Sequence, residues 1–145
     1  MFIINISYYT IINTSLGDNC FRGCSTLKSI NIPKTVSKLG NGCFERCTSL
    51  SLINIPRGIK EIGGGCFYEY ECFSGCTSLR SFNIPTTVNE LGSYCFCGCS
   101  SLKSIIIPST VSIIGDECFK GCSSLTSVTK TLKESNEENT KCVLV

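Results

Sequence analysis

The chain has 145 residues, 42% hydrophobic and 17% charged, with a formal net charge of +2. That length supports one core-bearing domain plus a tail, and 13 basic against 11 acidic residues is too even a balance for a nucleic-acid binder working through a basic face. With no His, the commonest general base and neutral metal ligand are missing; neither an enzyme nor a cofactor is expected.

Taken in chain order, Met1 to Tyr9 has no basic n-region and no apolar run of secretory length. Nor does any run of about 18 apolar residues follow that could cross a bilayer. The expected compartment is cytosolic, where the thirteen cysteines stay reduced rather than forming a disulfide framework. Residues 1–15 read as a divergent first coil: Ile4-Asn5-Ile6 is strand-like, but Ser7 stands where later units have proline. A missing polar cap there leaves three readings: an exposed apolar edge, a homodimer through that edge, or a chain shorter than its relatives.

From Leu16 to Val128 the chain repeats itself. Cys-Phe recurs at Cys20, Cys43 and Cys66, and again at Cys72, Cys95 and Cys118, with a step of 23 residues inside each set. A period of this length marks a solenoid, whose units are too small to bury their own apolar faces and must stack. Each unit opens Cys-Phe-x-x-Cys, a spacing that predicts a short helical turn with both thiols on one face. Two hydroxyl residues follow, as in Ser25-Thr26 and Ser100-Ser101, suited to bonding backbone where the chain turns.

Next comes an alternating run, Leu27/Ile30/Ile32, matched by Leu50/Ile53/Ile55, Leu79/Phe82/Ile84, Leu102/Ile105/Ile107 and Leu125/Val128. Period two with β-branched residues predicts a short strand. Pro33, Pro56, Pro85 and Pro108 stand directly after it, where a missing N–H ends the ladder. A second apolar pair, Val36/Leu39 and its counterparts, precedes Gly40, Gly63, Gly92 and Gly115, which suit a turn with positive φ.

The unit quoted nearly as Cys95 to Gly115 has it, Cys-Phe-x-x-Cys-Ser-Ser-Leu-x-Ser-Ile-x-Ile-Pro-x-x-Val-x-x-Ile-Gly, closely resembles the BspA-like class of leucine-rich repeats. The resemblance covers Leu16 to Val128 and rests on several dissimilar columns recurring together. It implies an α/β repeat solenoid, with short parallel β-strands on one face and short helical turns opposite. A three-sided β-helix would accept the same period; the expected helical turns favour the leucine-rich-repeat form. The resemblance also implies a surface- or membrane-associated protein that binds other proteins without catalysing a reaction. In such repeats the concave sheet is the usual binding face. Here it would present Lys28, Ser29, Asn31, Asn54, Arg80, Ser81, Asn83, Lys103, Ser104 and Ile106.

Two departures and the cysteines complete the reading. Six residues, Cys66 to Glu71, are inserted between units and carry Tyr68 and Tyr70 between glutamates, a candidate protruding contact. The cysteine columns are expected to be buried, free thiols that pack as small hydrophobes. Metal binding or redox chemistry is the alternative, weakened because parallel rows of thiols do not converge on four ligands. Cys97 occupies a column of its own and is expected to be the most solvent-facing.

From Thr129 to Val145 the repeat gives way to a polar stretch expected to be a flexible tether. It ends Cys142-Val143-Leu144-Val145, the pattern of a prenylation signal on Cys142. The combined expectation is a non-catalytic protein-interaction module, lipid-tethered to the cytosolic face of a membrane, most simply the plasma membrane. A cell-surface adhesin is the runner-up.

Overall fold

A computed structural model of the chain describes residues 3–5, 14–62, 72–131 and 140–143. The apolar runs before the prolines form the first strand of each coil: β1 (Ile3–Asn5), β3 (Ser29–Asn31), β5 (Leu52–Asn54), β7 (Ser81–Asn83), β9 (Ser104–Ile107) and β11 (Ser127–Thr131). The apolar pairs after the prolines form a second set: β2 (Ser15–Leu16), β4 (Lys38–Leu39), β6 (Glu61–Ile62), β8 (Glu90–Leu91) and β10 (Ile113–Ile114). Like pairs with like, in parallel: Ile30 faces Ile53, Phe82 faces Ile105, and Ile105 faces Val128. Because the side-chain period is two, this register keeps Ile30, Phe82, Ile105 and Val128 on the inner face.

Each proline does more than end a strand. The carbonyls of Pro33, Pro56, Pro85 and Pro108 accept the amides of Val36, Ile59, Val88 and Val111 at 3.0 to 3.2 Å. The four residues form a tight turn that swings the chain from one ladder to the next.

On the third side the structure departs from the sequence reading: the described residues contain no helix, and Cys-Phe-x-x-Cys lies in turns. The amides decide this. Phe44 N–H donates to Cys72 O at 2.9 Å and Arg46 N–H to Ser74 O at 2.7 Å, while Phe96 and Gly98 donate likewise to Cys118 and Lys120. Alternate amides thus bond the next coil instead of a carbonyl four residues back. Two left-handed residues per turn, such as Tyr94 (φ 54°) and Gly98 (φ 70°), break any helix. The fold is a parallel β-solenoid of the leucine-rich-repeat kind, with a hydrogen-bonded ladder of turns where helices were expected.

The left-handed positions also correct the glycine reading. Among the described residues they fall at Asn19, Gly42, Tyr94 and Glu117, just before Cys20, Cys43, Cys95 and Cys118, and at Gly23, Arg46, Gly75, Gly98 and Gly121. Gly40 and Gly115 do not have positive φ. They are needed for close approach: a Cβ on Gly40 would lie 2.5 Å from the Asp18 carboxylate and 2.6 Å from Gly17 backbone, and one on Gly115 would strike Ser93 backbone.

One core fills the rod. Leu27, Leu50, Leu79 and Leu102 are buried in a single column, with Leu125 packed against its end. Phe21, Phe44, Phe73, Phe96 and Phe119 stack with centroids 5.3 to 5.7 Å apart and planes within 9°. Phe82 meets Phe73 and Phe96 edge-on at 4.8 Å. Such pairs contribute roughly 0.5 to 1.5 kcal/mol each beyond the area they bury.

A seam lies at the insertion. The first-strand sheet divides into β1-β3-β5 and a second sheet that begins with β7, and β6 keeps a single paired residue with β8, Ile62 to Leu91. The turns run through without a break, Phe44 stacking on Phe73 at 5.4 Å. Residues 63–71, including Tyr68 and Tyr70, lie outside the described residues. At the other end β11 continues past Val128 to Thr131. There β12 (Thr140–Val143) pairs with it antiparallel, placing Cys142 opposite Thr129, so the backbone of this part of the expected tether is a strand.

Candidate binding face, groove and thiol rows

The outward positions of the first strands are where the alternation puts them. Lys28, Asn31, Asn54, Arg80, Ser81, Asn83, Lys103, Ser104 and Ile106 are exposed and Ser29 is half-buried. Asn54 Nδ2 donates to Asn31 Oδ1 at 3.1 Å, linking two coils through their side chains. Two apolar residues stand among the polar ones, Leu52 at 64% and Ile106 at 57% exposure. The seam divides this face: Ser29, Asn31 and Asn54 belong to one sheet, and Ser81, Asn83, Ser104 and Ile106 to the other. What reads as one continuous row is two rigid platforms meeting between β5 and β7.

Beside this face the structure forms a groove of about 310 Å³ lined by Lys28, Ser49, Ser51, Ser78, Arg80 and Ser101. The sequence reading took the hydroxyl pairs as turn stabilisers and so missed it. In two of the pairs the first hydroxyl bonds backbone, that of the preceding coil: Thr77 Oγ1 donates to Thr48 O at 3.2 Å and Ser123 Oγ to Ser100 O at 3.4 Å. The next residue in each unit, Ser49, Ser78 or Ser101, instead lines the groove. The recurrence of a second hydroxyl column was the available signal.

The thiols form two inner rows and no disulfide among the described residues. The second cysteine of each unit donates S–H to the phenylalanine carbonyl of the preceding coil: Cys47 to Phe21, Cys76 to Phe44, Cys99 to Phe73 and Cys122 to Phe96, at 3.0 to 3.2 Å. Burial pushes the Cys47 and Cys118 thiols up to about 12, and raises Cys43, Cys72, Cys76, Cys95 and Cys99 well above the ordinary thiol range. Thiols held protonated are poor nucleophiles and poor ligands. Among the described residues no group of three His, Cys, Asp or Glu is placed to hold a metal ion.

Among the described residues the most exposed cysteine is Cys20, in the first described turn; Cys97 is half-buried. Glu45 is a buried acid at 7% exposure, held by Arg22 at 3.1 Å and Arg46 at 3.5 Å. It occupies the column of Arg22, Ser74, Cys97 and Lys120 and ties two turns together rather than forming a catalytic pair.

The BspA type Leucine rich repeat region matches residues 3–71 and 69–141, six copies in all. Among solved structures, a leucine rich cell surface protein from Faecalibacterium prausnitzii A2-165 is 28% identical with a TM-score of 0.78, over 92% of this chain and 32% of its own. A leucine-rich repeat protein from Bacteroides ovatus is 40% identical with a TM-score of 0.70, over 79% of this chain and 28% of its own. The T. pallidum Leucine Rich Repeat protein is 28% identical with a TM-score of 0.75, over 87% of this chain and 56% of its own. The chain therefore spans between 28% and 56% of the length of these relatives. No curated protein shows significant similarity. With the repeat covering nearly the whole chain, this protein belongs to the BspA type leucine-rich repeat family.

Proposed function

We propose that the chain is a non-catalytic module that captures a protein partner on the outward face of its first-strand sheets. The observation that carries this reading is the row Asn31, Asn54, Asn83 with exposed Leu52 and Ile106 beside it, on strands braced from behind by one continuous core. Aliphatic side chains that a solvated sheet face does not need supply the contact area that binding uses. Asn54→Lys combined with Asn83→Lys places two long cations on that face. Partner capture by the immobilised chain should be lost with this variant and kept with Lys34→Ala/Lys60→Ala. Equal capture by both would move the binding surface elsewhere.

The site of action has two readings. The terminal Cys142-Val143-Leu144-Val145 supports a prenyl tether to the cytosolic face of a membrane. One such chain gives only marginal attachment, so a second signal or an avid partner would have to accompany it. The F. prausnitzii relative, described as a cell surface protein, favours an adhesin displayed outside. Intact mass of the natively expressed protein separates them: a lipid adduct with loss of Val143 to Val145 supports the tether. An unmodified C-terminus on protein that external protease degrades on whole cells supports the adhesin. The Tyr68 and Tyr70 contact and a dimer through the first coil stay as proposals drawn from the sequence.

A further inference from the structure

We propose that the groove beside the first-strand sheets receives a carboxylate-rich, extended segment of the protein partner. This rests on the protein-binding reading above and adds the chemistry of what is bound. The groove lining, Lys28, Ser49, Ser51, Ser78, Arg80 and Ser101, holds two cations and four hydroxyls, with no carboxylate and no aromatic ring. Both cations are exposed, and the ion pairs of the described acids engage Arg22, Arg46 and Lys120 instead. Lys103 extends the basic row by one coil, its N–H bonded to Arg80 O at 3.2 Å. Three like charges set on the two platforms that meet at the seam, and left without acid partners among the described residues, create a one-signed field along the groove. Such a field favours an anion.

The hydroxyls point to the same chemistry. Ser51 Oγ donates to Lys28 O at 3.2 Å, which leaves its lone pairs outward. Ser49, Ser78 and Ser101 are half-buried and make no hydrogen bond with the described residues. Each can donate to an incoming oxygen, and the Arg80 fork matches a carboxylate with two parallel bonds. From the coil of Lys28 to that of Lys103 is three steps, two between paired strands about 4.8 Å apart and one across the seam, a span for about five residues of extended chain. Leu52 and Ile106, exposed on the neighbouring face, would meet the aliphatic side chains between the acids. An acidic glycan would draw on ring platforms, which this lining lacks.

The test uses the whole chain and a fluorescein-labelled peptide of about ten residues alternating Glu and Ala, followed by fluorescence anisotropy at low salt. Binding is expected, and it should weaken at least about tenfold when Gln replaces Glu, since charge-assisted bonds are lost. High salt should weaken it as well. Lys28→Ala/Arg80→Ala should lose at least tenfold with an unchanged circular dichroism spectrum. Lys34→Ala/Lys60→Ala, which removes the same charge elsewhere, should lose little. No binding of the Glu peptide, equal binding of the Glu and Gln peptides, or equal loss in the two variants would overturn the proposal. So would binding of polygalacturonate in place of the peptide. Partner capture that survives Lys28→Ala/Arg80→Ala but fails with Asn54→Lys/Asn83→Lys would remove the groove and leave the protein-binding face standing.

Discussion

The turn side and the strand side of the same coils respond differently to one insertion. Across Cys66 to Glu71 the strands lose their pairing between β5 and β7, while the turns on either side stay joined, Phe44 N–H bonding Cys72 O and the two rings stacked. The turns are locked from inside by large rings and S–H bonds; the strands that flank the seam, β5 and β7, offer three backbone positions and one inward side chain each. The lesson is that this rod keeps its register through Cys-Phe-x-x-Cys, which leaves the strand face free to carry variable residues and a seam.

The largest expected effect strikes the locked side through pH. Among the described residues eight thiols are buried, and burial raises each above the ordinary 9.0. The folded chain therefore holds protons that the unfolded chain releases. Stability is full below the ordinary thiol value and falls as pH rises through it toward the folded values, by at most about 1.4 kcal/mol per thiol per pH unit. Urea midpoints should be flat from neutral pH to just above 8 and collapse beyond about 10. A midpoint that holds at alkaline pH would show that the thiol rows are not sealed.

Next in size, Phe73→Ala removes the ring that stacks on both neighbours and meets Phe82, and should cost about 3 to 5 kcal/mol in denaturant melts. Leu52→Ser on the strand side should change stability by less than about 0.5 kcal/mol. Comparable losses would erase the distinction between the two sides. The smallest effect sharpens it: Arg46 holds a left-handed φ of 56° where Gly23, Gly75, Gly98 and Gly121 stand in the other coils. Arg46→Gly should relieve roughly 1 kcal/mol of backbone cost, partly offset by the lost contact to Glu45, and leave the melt slightly higher or unchanged.

Much of the fold was legible because a repeat multiplies weak signals. Leu27, Leu50, Leu79 and Leu102 each read as one apolar residue, yet recurring at fixed spacing they could only share a column. The helical turns were misread because a spacing of four between cysteines fits a helix and a tight turn equally well. What separates them is the left-handed residue inside each turn, and Arg46, Tyr94 and Glu117 give no glycine to announce it. Cys97 looked exposed from its odd column. Cys20 is the more exposed of the two and lies in the first described turn, a matter of position in the stack rather than of residue type.

By itself the sequence determined the period, the strand positions, the proline turns and the inward columns, since those follow from local backbone preference and from which side chains avoid water. Only the tertiary structure decided that alternate amides in the turns reach the next coil, that Gly40 and Gly115 are small because a neighbouring backbone passes through the space of a Cβ, and that Lys28 and Arg80 flank a row of open hydroxyls. Each of these depends on what the adjacent coil places a few ångströms away, and a neighbour 23 residues distant is set by stacking rather than by the residues beside it.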